Sequence, residues 1–229
     1  MNDTPLSLTT AFHIGPLPVT LPVVITWGII VFLAALSFGL TRRLSMRPSW
    51  PQAVLEMIVT AIDGQIRATI PGDPARFRDL VGTLLLFVLI ANWSSLVPGV
   101  EPPTAHLETD AALALVVFVA TIFYGIRAQG LGGYLASFAR PTWVMIPLNL
   151  IEQVTRTFSL MVRLFGNVMS GVFVIGILLS LAGLLVPIPL MALDLLTGAV
   201  QAYIFATLAL VFIAAAVEDG TPDSKETRP

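Results

Sequence analysis

The sequence contains no cysteine and very little charge. Charged residues make up 11% of the 229 residues, whereas hydrophobic residues make up 56%. The lack of cysteine excludes disulfides and thiolate metal sites. Soluble domains carry about 25% charged residues, so the low charge and a mean hydropathy of +0.88 indicate a membrane protein. A chain of this length has room for several membrane spans but not for a large soluble domain.

Several motifs of catalytic or metal sites are missing as well. The two histidines, His13 and His106, lie far apart in the chain and form no metal motif. The sequence has no phosphate-binding Gly-x-x-x-x-Gly-Lys-Ser/Thr loop, no His-Glu-x-x-His and no nucleophile elbow. We therefore expect no metal, no cofactor, no nucleic-acid partner, and no binding or hydrolysis of ATP by this chain alone.

Apolar runs and the arginines between them predict the first three membrane spans. Residues 21–40 form an uncharged run long enough to cross a hydrocarbon core of about 30 Å. Residues 80–97 and 111–126 are the second and third spans. Because three arginines follow the first span and none precedes it, residues 1–20 are predicted to lie outside and the following segment in the cytoplasm. These arginines are Arg42, Arg43 and Arg47. No basic segment precedes the first apolar run, so a cleaved signal peptide is not expected.

Three segments between the spans have distinct patterns. Residues 51–70 combine an apolar stripe with charges, which predicts an amphipathic helix at the cytoplasmic interface; a packed soluble helix is the alternative. Residues 98–110 hold acidic and no basic side chains and are predicted to form an exposed outer loop. Its carboxylates, Glu101, Glu108 and Asp110, are either simply solvated or form a funnel for cations, with Glu108 and Asp110 as the leading funnel candidates. A basic segment, 127–140, is predicted to contain a flexible cytoplasmic turn at three glycines, Gly130, Gly132 and Gly133.

The rest of the chain predicts a long helical hairpin. Residues 146–185 would form a helix of about 60 Å, which must tilt or kink to fit the membrane. Residues 190–217 return, and the polar tail 218–229 is expected in the cytoplasm. The predicted fold is therefore all-α: one polytopic membrane domain with about five spans and one interfacial helix.

The first long helix carries one isolated charge, Arg163. An arginine at the centre of a membrane helix costs about 2.5–3.5 kcal/mol, which makes it a functional candidate. Steps of three or four place it on one polar face, made of Glu152, Arg156, Ser159, Arg163, Asn167 and Ser170. Such a face indicates a wall that lines water or meets a partner's charge.

The return helix has polar residues of its own, Asp194 and Gln201. A groove of small residues, Gly198, Ala202 and Ala206, would let another helix approach closely. Structural alternatives remain for all of these residues. Asp194 could be the counter-ion of Arg163, Gln201 and Asn167 could be interhelical hydrogen-bond partners, and Glu152 and Arg156 could form a helix ion pair.

One motif resembles a known family. Arg-Leu-Phe-Gly-Asn at 163–167 is preceded by Ile-Pro-Leu-Asn-Leu-Ile-Glu-Gln and followed by Gln201-Ala-Tyr-Ile-Phe. This combination resembles subunit a of the F-type ATP synthase, most strongly over residues 130–218. The resemblance implies an ion-conducting stator that couples H⁺ or Na⁺ flow through two half-channels to rotation of a ring of c subunits. It also implies the peripheral-stalk b subunits and the rest of the synthase as partners, in a bacterial inner membrane.

The resemblance also implies roles for individual residues. Arg163 matches the essential arginine of the family, and Asn167 and Gln201 match polar positions around it. Asp194 matches a position of the outer half-channel, while Glu152 and Arg156 would line the cytoplasmic side. One departure is Val172, which stands where many members have an acidic or polar residue.

Two other classes of function are consistent with parts of the pattern. A stand-alone ion channel or secondary transporter would explain charges in the membrane, but transporters commonly contain repeats and none is visible. A structural membrane scaffold would explain the small-residue groove but not the isolated arginine.

Overall fold

The computed structural model describes residues 10–14, 17–42, 50–70, 73–97, 100–138, 142–183 and 186–218. Within these ranges the chain forms a short antiparallel hairpin followed by six α-helices. Two 3₁₀ turns, Ser94–Leu96 and Pro103–Ala105, lie between the third and fourth helices. The elements are β1 Thr10–Ile14, β2 Leu17–Thr20, α1 Leu21–Thr41, α2 Trp50–Thr69, α3 Ala75–Trp93, α4 Leu107–Phe138, α5 Met145–Ala182 and α6 Ile188–Glu218.

Five of the helices are long and apolar enough to cross a membrane: α1, α3 with its 3₁₀ extension, α4, α5 and α6. This confirms the predicted all-α polytopic fold and the number of spans. The small hairpin β1–β2 was not predicted. Most of the predicted cytoplasmic tail, 219–229, lies outside the described residues, as do Arg43, Arg47 and Arg140.

Proline marks the start of four of the helices. It occupies the first turn of α1, α2, α5 and α6 as Pro22, Pro51, Pro147 and Pro189. Proline lacks the backbone N–H that a first turn leaves unpaired anyway, and its fixed φ already suits a helix. The same residue type that would break a helix interior therefore helps to define where these helices begin.

Helix α4 departs from the prediction at both ends. It begins at Leu107 rather than near 111, and it continues to Phe138 rather than ending near 126. Gly130 adopts φ 73° and ψ 162°, which kinks the helix at the predicted turn. Glycine allows this left-handed value because it has no Cβ. The chain then resumes helical structure through Gly132 and Gly133, so the prediction of a flexible turn across all three glycines is wrong.

Helices α3 to α6 alternate in direction, and hydrogen bonds at both ends show this. At one end, the indole of Trp93 donates to the Leu195 carbonyl at 3.1 Å. At the other end, Gln129 Nε2 donates to the Ala216 carbonyl at 2.7 Å. The main core lies between these helices and includes Val88, Leu164, Ala202 and Phe205. Functional residues on α5 and α6 are therefore placed at defined levels between two ends.

Helix α2 packs against the protein with the apolar stripe predicted from its sequence. Ile62 and Ile66 are buried in a second cluster with Phe77 of α3 and Leu210 of α6. Arg78 of α3 donates two hydrogen bonds to Asp63, at 2.5 and 2.6 Å, and these hold the pKa of that carboxyl below its usual range. The stripe is thus covered largely by protein, and the position of α2 at a membrane interface stays a prediction.

Candidate functional site

The polar face of α5 is turned away from the core. The structure places Glu152, Ser159, Arg163 and Ser170 at the surface, and leaves Arg156 and Asn167 half-buried. Among the described residues, no acceptor forms a hydrogen bond or ion pair with Arg163. The proposed alternative of an internal Arg163–Asp194 pair is therefore not observed. The guanidinium is free to meet a group outside this chain.

Asp194 instead lies against α5 near Gly171. A Cβ added at Gly171 would overlap the Asp194 carboxylate, so only glycine leaves room for this approach. Ser95, in the 3₁₀ turn that follows α3, lines a cleft together with that carboxylate and interacts with it. Asp194 is thus held where α3, α5 and α6 meet, more than two helical turns along α5 from Arg163. Sequence reasoning missed Gly171, although it follows Asn167 by one turn on the polar face.

The small-residue groove of α6 is filled from within the chain. Ala202 and Ala206 are buried, and Asn92 of α3 approaches so closely that a Cβ at Gly198 would lie 3.1 Å from its Cβ. Asn92 Nδ2 also donates to the Gly198 carbonyl at 2.9 Å. Gly166 on α5, by contrast, has open space around it. Between α5 and α6, the open position at Gly166 therefore leaves α5 as the helix that a partner could approach closely.

Gln201 lies inside the bundle, with 6% of its surface exposed. Its Nε2 atom is buried and has no hydrogen-bond partner among the described residues. An unpaired buried amide costs free energy, and such groups call for an explanation. Within the described part of the chain, the Gln201 Nε2 atom therefore forms no interhelical hydrogen bond, and a functional role for this residue stays a prediction.

Two adjoining clefts run from Arg163 toward the end of the bundle where Ala216 and Phe138 lie. A cleft of about 620 Å³ is lined by Arg163, Ser159, Arg156 and Glu152. A second cleft of about 260 Å³ shares Glu152 and Arg156 and extends to Tyr134. Glu152 and Arg156 form the ion pair suggested by their spacing, and the Arg156 guanidinium lies 5.5 Å from the ring centre of Phe212. The ion pair thus stands in the wall of both clefts.

Two other clefts approach from the opposite end. One, of about 230 Å³, is lined by Asn167, Ser170 and Asp194. The next, of about 550 Å³, shares Asp194 and extends past Val172 to Glu101. Asn167 follows Arg163 by one helical turn, about 6 Å of rise. The two sets of clefts share no lining residue, and Arg163 and Asn167 lie at the point where they come closest along α5.

The predicted outer loop is only partly exposed, and this corrects the funnel prediction. Asp110 belongs to the first turn of α4, is fully buried, and has no hydrogen-bond partner among the described residues. Thr104 is buried too, because its hydroxyl donates to Asn92 Oδ1 at 2.8 Å and draws the segment inward. Glu108 is exposed but lines neither outer cleft, whereas Glu101 lines one of them. A side chain without solvent contact cannot belong to an aqueous funnel, so Asp110 is removed from it.

Comparison with known proteins gives a consistent result. Residues 23–214 match the family model described as ATP synthase A chain. A protein of Bradyrhizobium sp. strain BTAi1 named ATP synthase subunit a 2 is 56% identical over 217 residues, which cover 95% of this chain and 97% of the relative. ATP synthase subunit a of Albidiferax ferrireducens is 50% identical over 211 residues, 91% of each chain. ATP synthase subunit a 1 of Hahella chejuensis is 41% identical over 221 residues, which cover 96% of this chain and 94% of the relative.

Proposed function

The chain belongs to the ATP synthase A chain family, and from this premise we propose that it is the ion-conducting stator of a rotary ATP synthase. Membership makes it a non-catalytic membrane subunit of the ATP synthase complex. In the proposed mechanism, H⁺ or Na⁺ crosses through two half-channels and is carried between them by a carboxylate on a ring of c subunits. The observation that supports this most directly is the close approach of two separate sets of clefts along α5, one ending at Arg163 and the other at Asn167, one helical turn away.

The exposure of Arg163 supports contact with the ring. A charge on the outside of a membrane helix is costly unless water or a partner meets it. Only 11% of the most apolar window of α5 is buried, so this helix presents a long surface to a neighbour. A guanidinium keeps its charge at physiological pH and is more weakly hydrated than an ammonium. It can therefore keep a passing ring carboxylate ionised and repel cations that would leak directly between the clefts.

Each set of clefts corresponds to one half-channel in this proposal. Glu152 and Arg156 line the cytoplasmic route to Arg163. Asp194 and Asn167 line the outer route and release the ion onto the ring beside the arginine. Gln201, whose amide nitrogen has no hydrogen-bond partner among the described residues, supplies a polar group in the interior behind them. The two routes remain separate because no described residue lines both.

We further propose a location in a bacterial inner membrane, with the N-terminus outside and the C-terminus in the cytoplasm. Helix α1, in which 6% of the apolar window is buried, would face lipid or the peripheral-stalk b subunits. A cysteine at exposed Glu108 tests the orientation, because the chain has no other cysteine. A membrane-impermeant maleimide should label it from the outside only. Labelling from the cytoplasmic side alone would contradict the topology.

The central test is Arg163→Ala in the assembled complex reconstituted into vesicles. We expect ion-driven ATP synthesis to fall to background and passive ion flux to rise, because the positive barrier between the clefts is lost. Arg163→Lys should keep part of the barrier without restoring synthesis, since a buried ammonium can lose its proton and lacks the forked donors of arginine. Arg127→Ala, at an exposed position of α4 outside the clefts, is the matched control. Normal synthesis by Arg163→Ala would refute the proposed function.

A further inference from the structure

We propose that Glu101 and His106 form the entrance site of the outer half-channel and pass the cation along Val172 to Asp194. This inference rests on the proposed function and adds an outer site to it. It explains how the chain can have valine at position 172, because the carboxylate missing from α5 is supplied by the segment before α4. The ligand is a monovalent cation that a carboxylate can accept, either a proton or Na⁺.

The clefts place Glu101 on the outer route. A cleft of about 320 Å³ is lined by Glu101, His106 and Val172. The neighbouring cleft of about 550 Å³ is lined by Glu101, Val172 and Asp194. Glu101 and Val172 therefore belong to both clefts, while His106 and Asp194 each belong to one of these two. A cation that enters at Glu101 has a continuous lined path past Val172 to Asp194.

The two side chains are arranged to connect water with the interior. Glu101 has 66% of its side chain exposed, whereas His106 has 15%. His106 Nε2 lies 3.5 Å from Glu101 Oε2, and this buried nitrogen makes no hydrogen bond with any described residue. The pair is therefore loose, with one partner in solvent and one against α5. A carboxylate held in this way can exchange its imidazole neighbour for a cation without losing a fixed hydrogen bond.

The segment that carries the pair is anchored between the two residues. Pro103, Thr104 and Ala105 form a buried 3₁₀ turn, and Thr104 donates to Asn92 Oδ1. Asn92 in turn donates to the Gly198 carbonyl of α6, one turn from Asp194. Glu101 and His106 thus flank a turn that is connected through the Asn92 side chain of α3 to the helix carrying Asp194. This network fixes the distance between the entrance and the inner carboxylate.

The transfer conserves charge at each step. Ionised Glu101 binds one cation from the outer water and becomes neutral. It releases the same cation into the cleft beside Val172, where Asp194 accepts it, and Glu101 returns to its ionised form facing His106. A valine side chain offers no oxygen ligand or proton acceptor, so it cannot perform this step.

Glu101→Gln in the assembled, vesicle-reconstituted complex tests the proposal. We expect ATP synthesis at a low outer ion concentration to fall on the order of tenfold, less than the roughly 10²–10⁴-fold effect typical of a lost general acid or base, because Asp194 remains. The outer ion concentration for half-maximal rate should rise, while the rate at saturation changes little. Glu108→Gln, an exposed carboxylate outside these clefts, should have no effect.

A second substitution separates a relay from a structural role. Val172→Glu places a carboxylate in the wall of both clefts, so it should restore low-concentration synthesis in the Glu101→Gln background. Each variant is measured with a proton gradient in sodium-free buffer and with a sodium gradient in the presence of a protonophore. The transported ion is the one whose gradient gives both reduced synthesis in Glu101→Gln and restored synthesis after Val172→Glu is added.

The outcomes distinguish this inference from the proposed function. A normal half-maximal concentration in Glu101→Gln, with synthesis still abolished by Arg163→Ala, would overturn the entrance site alone. A loss in Glu101→Gln that Val172→Glu does not rescue would also overturn it. Normal synthesis by Arg163→Ala would instead refute the function on which both proposals depend.

Discussion

The two helices of the long hairpin have similar compositions but opposite surroundings. In the most apolar window of α6, 44% of the residues are buried, against 11% in α5. Phe205 on α6 is 1% exposed, whereas Phe158 on α5 is 60% exposed. Hydropathy alone does not separate the two helices, because both are apolar enough to cross a membrane. The difference therefore comes from shape and from the neighbours that each helix accepts.

Small residues explain why α6, rather than α5, packs against the other helices of the subunit. Between membrane helices the apolar environment gives little hydrophobic driving force, so close packing and hydrogen bonds decide association. On α6, Gly198 and Ala202 pack against α3 inside the chain, and the Asn92 amide of α3 donates a hydrogen bond to the Gly198 carbonyl. On α5, a Cβ added at Gly166 would meet no described atom within 4 Å, and nearby Arg163 makes no ion pair with any described residue. Helix α6 therefore forms the packed interior of this subunit, whereas α5 remains exposed, as the proposed contact with a ring requires.

The largest effect should come from removing an aromatic ring on the buried helix. We expect Phe205→Ala to destabilise the subunit by about 3 kcal/mol or more, because it empties space in the main core. Phe158→Ala on α5 should leave the isolated subunit nearly unchanged. Thermal unfolding of the two variants in detergent, followed by circular dichroism, measures the difference. Equal losses would break the distinction between the two helices.

Gly171→Ala should have the next largest effect, since it forces the Asp194 carboxylate away from α5. Inserting a methyl group into a packed contact typically costs about 1–3 kcal/mol. Coupled ATP synthesis should fall at least as far as in Asp194→Asn. Gly166→Ala adds the same methyl at open surface, so any effect should appear only in the ring-bound complex. Unchanged synthesis by Gly171→Ala would remove Asp194 from the outer route.

Asn92→Ala tests the two buried hydrogen bonds that the Asn92 side chain makes with Gly198 and Thr104. The change removes a donor to Gly198 and leaves the Thr104 hydroxyl without its acceptor, which should cost about 1–3 kcal/mol. Ser180→Ala on α5, which removes a hydroxyl that donates only to its own helix at Ile177, is the control. Chemical denaturation of the purified subunit gives both values. If Asn92→Ala lowers the free energy of unfolding less than Ser180→Ala does, the Asn92 hydrogen bonds do not stabilise the bundle as proposed.

The smallest effect should come from the contact between Arg78 of α3 and Asp63 of α2, which helps to hold α2 against the bundle. Because Arg78 lowers the pKa of folded Asp63, the contact adds stability above the pKa of the unfolded carboxyl, about 3.9, and loses it as the pH falls through the lower folded value. Hydrogen exchange of α2 amides should therefore be constant from pH 7 to pH 5, after correction for intrinsic rates, and increase below pH 4. Asp63→Asn should show the faster exchange already at pH 7, and Asp79→Asn should not. No change in Asp63→Asn would show that packing alone holds α2.

Much of the architecture could be predicted because it depends on local patterns. Long apolar runs predict spans, and the three- and four-residue steps around Arg163 predict one polar face. The segment before α4 could not be read in this way. Asp110 looks like a loop carboxylate in sequence, yet contacts of Thr104 with Asn92, twelve positions away, draw the segment into the bundle. Glu101 could be read from sequence as a loop or funnel carboxylate, but its place beside Val172 in one cleft became visible only once α5 was positioned.

The sequence by itself determined the membrane class, the number of spans and the amphipathic stripe of α2. It also determined that Arg163 stands as an isolated charge on the polar face of α5. These follow from composition and period, which act over one or two helical turns. Only the tertiary structure decided that α6 is buried while α5 is exposed, that Gly171 admits Asp194, and that Glu101 approaches Val172. Each of these depends on which side chain from a distant segment fills a given space, and close packing between helices sets that.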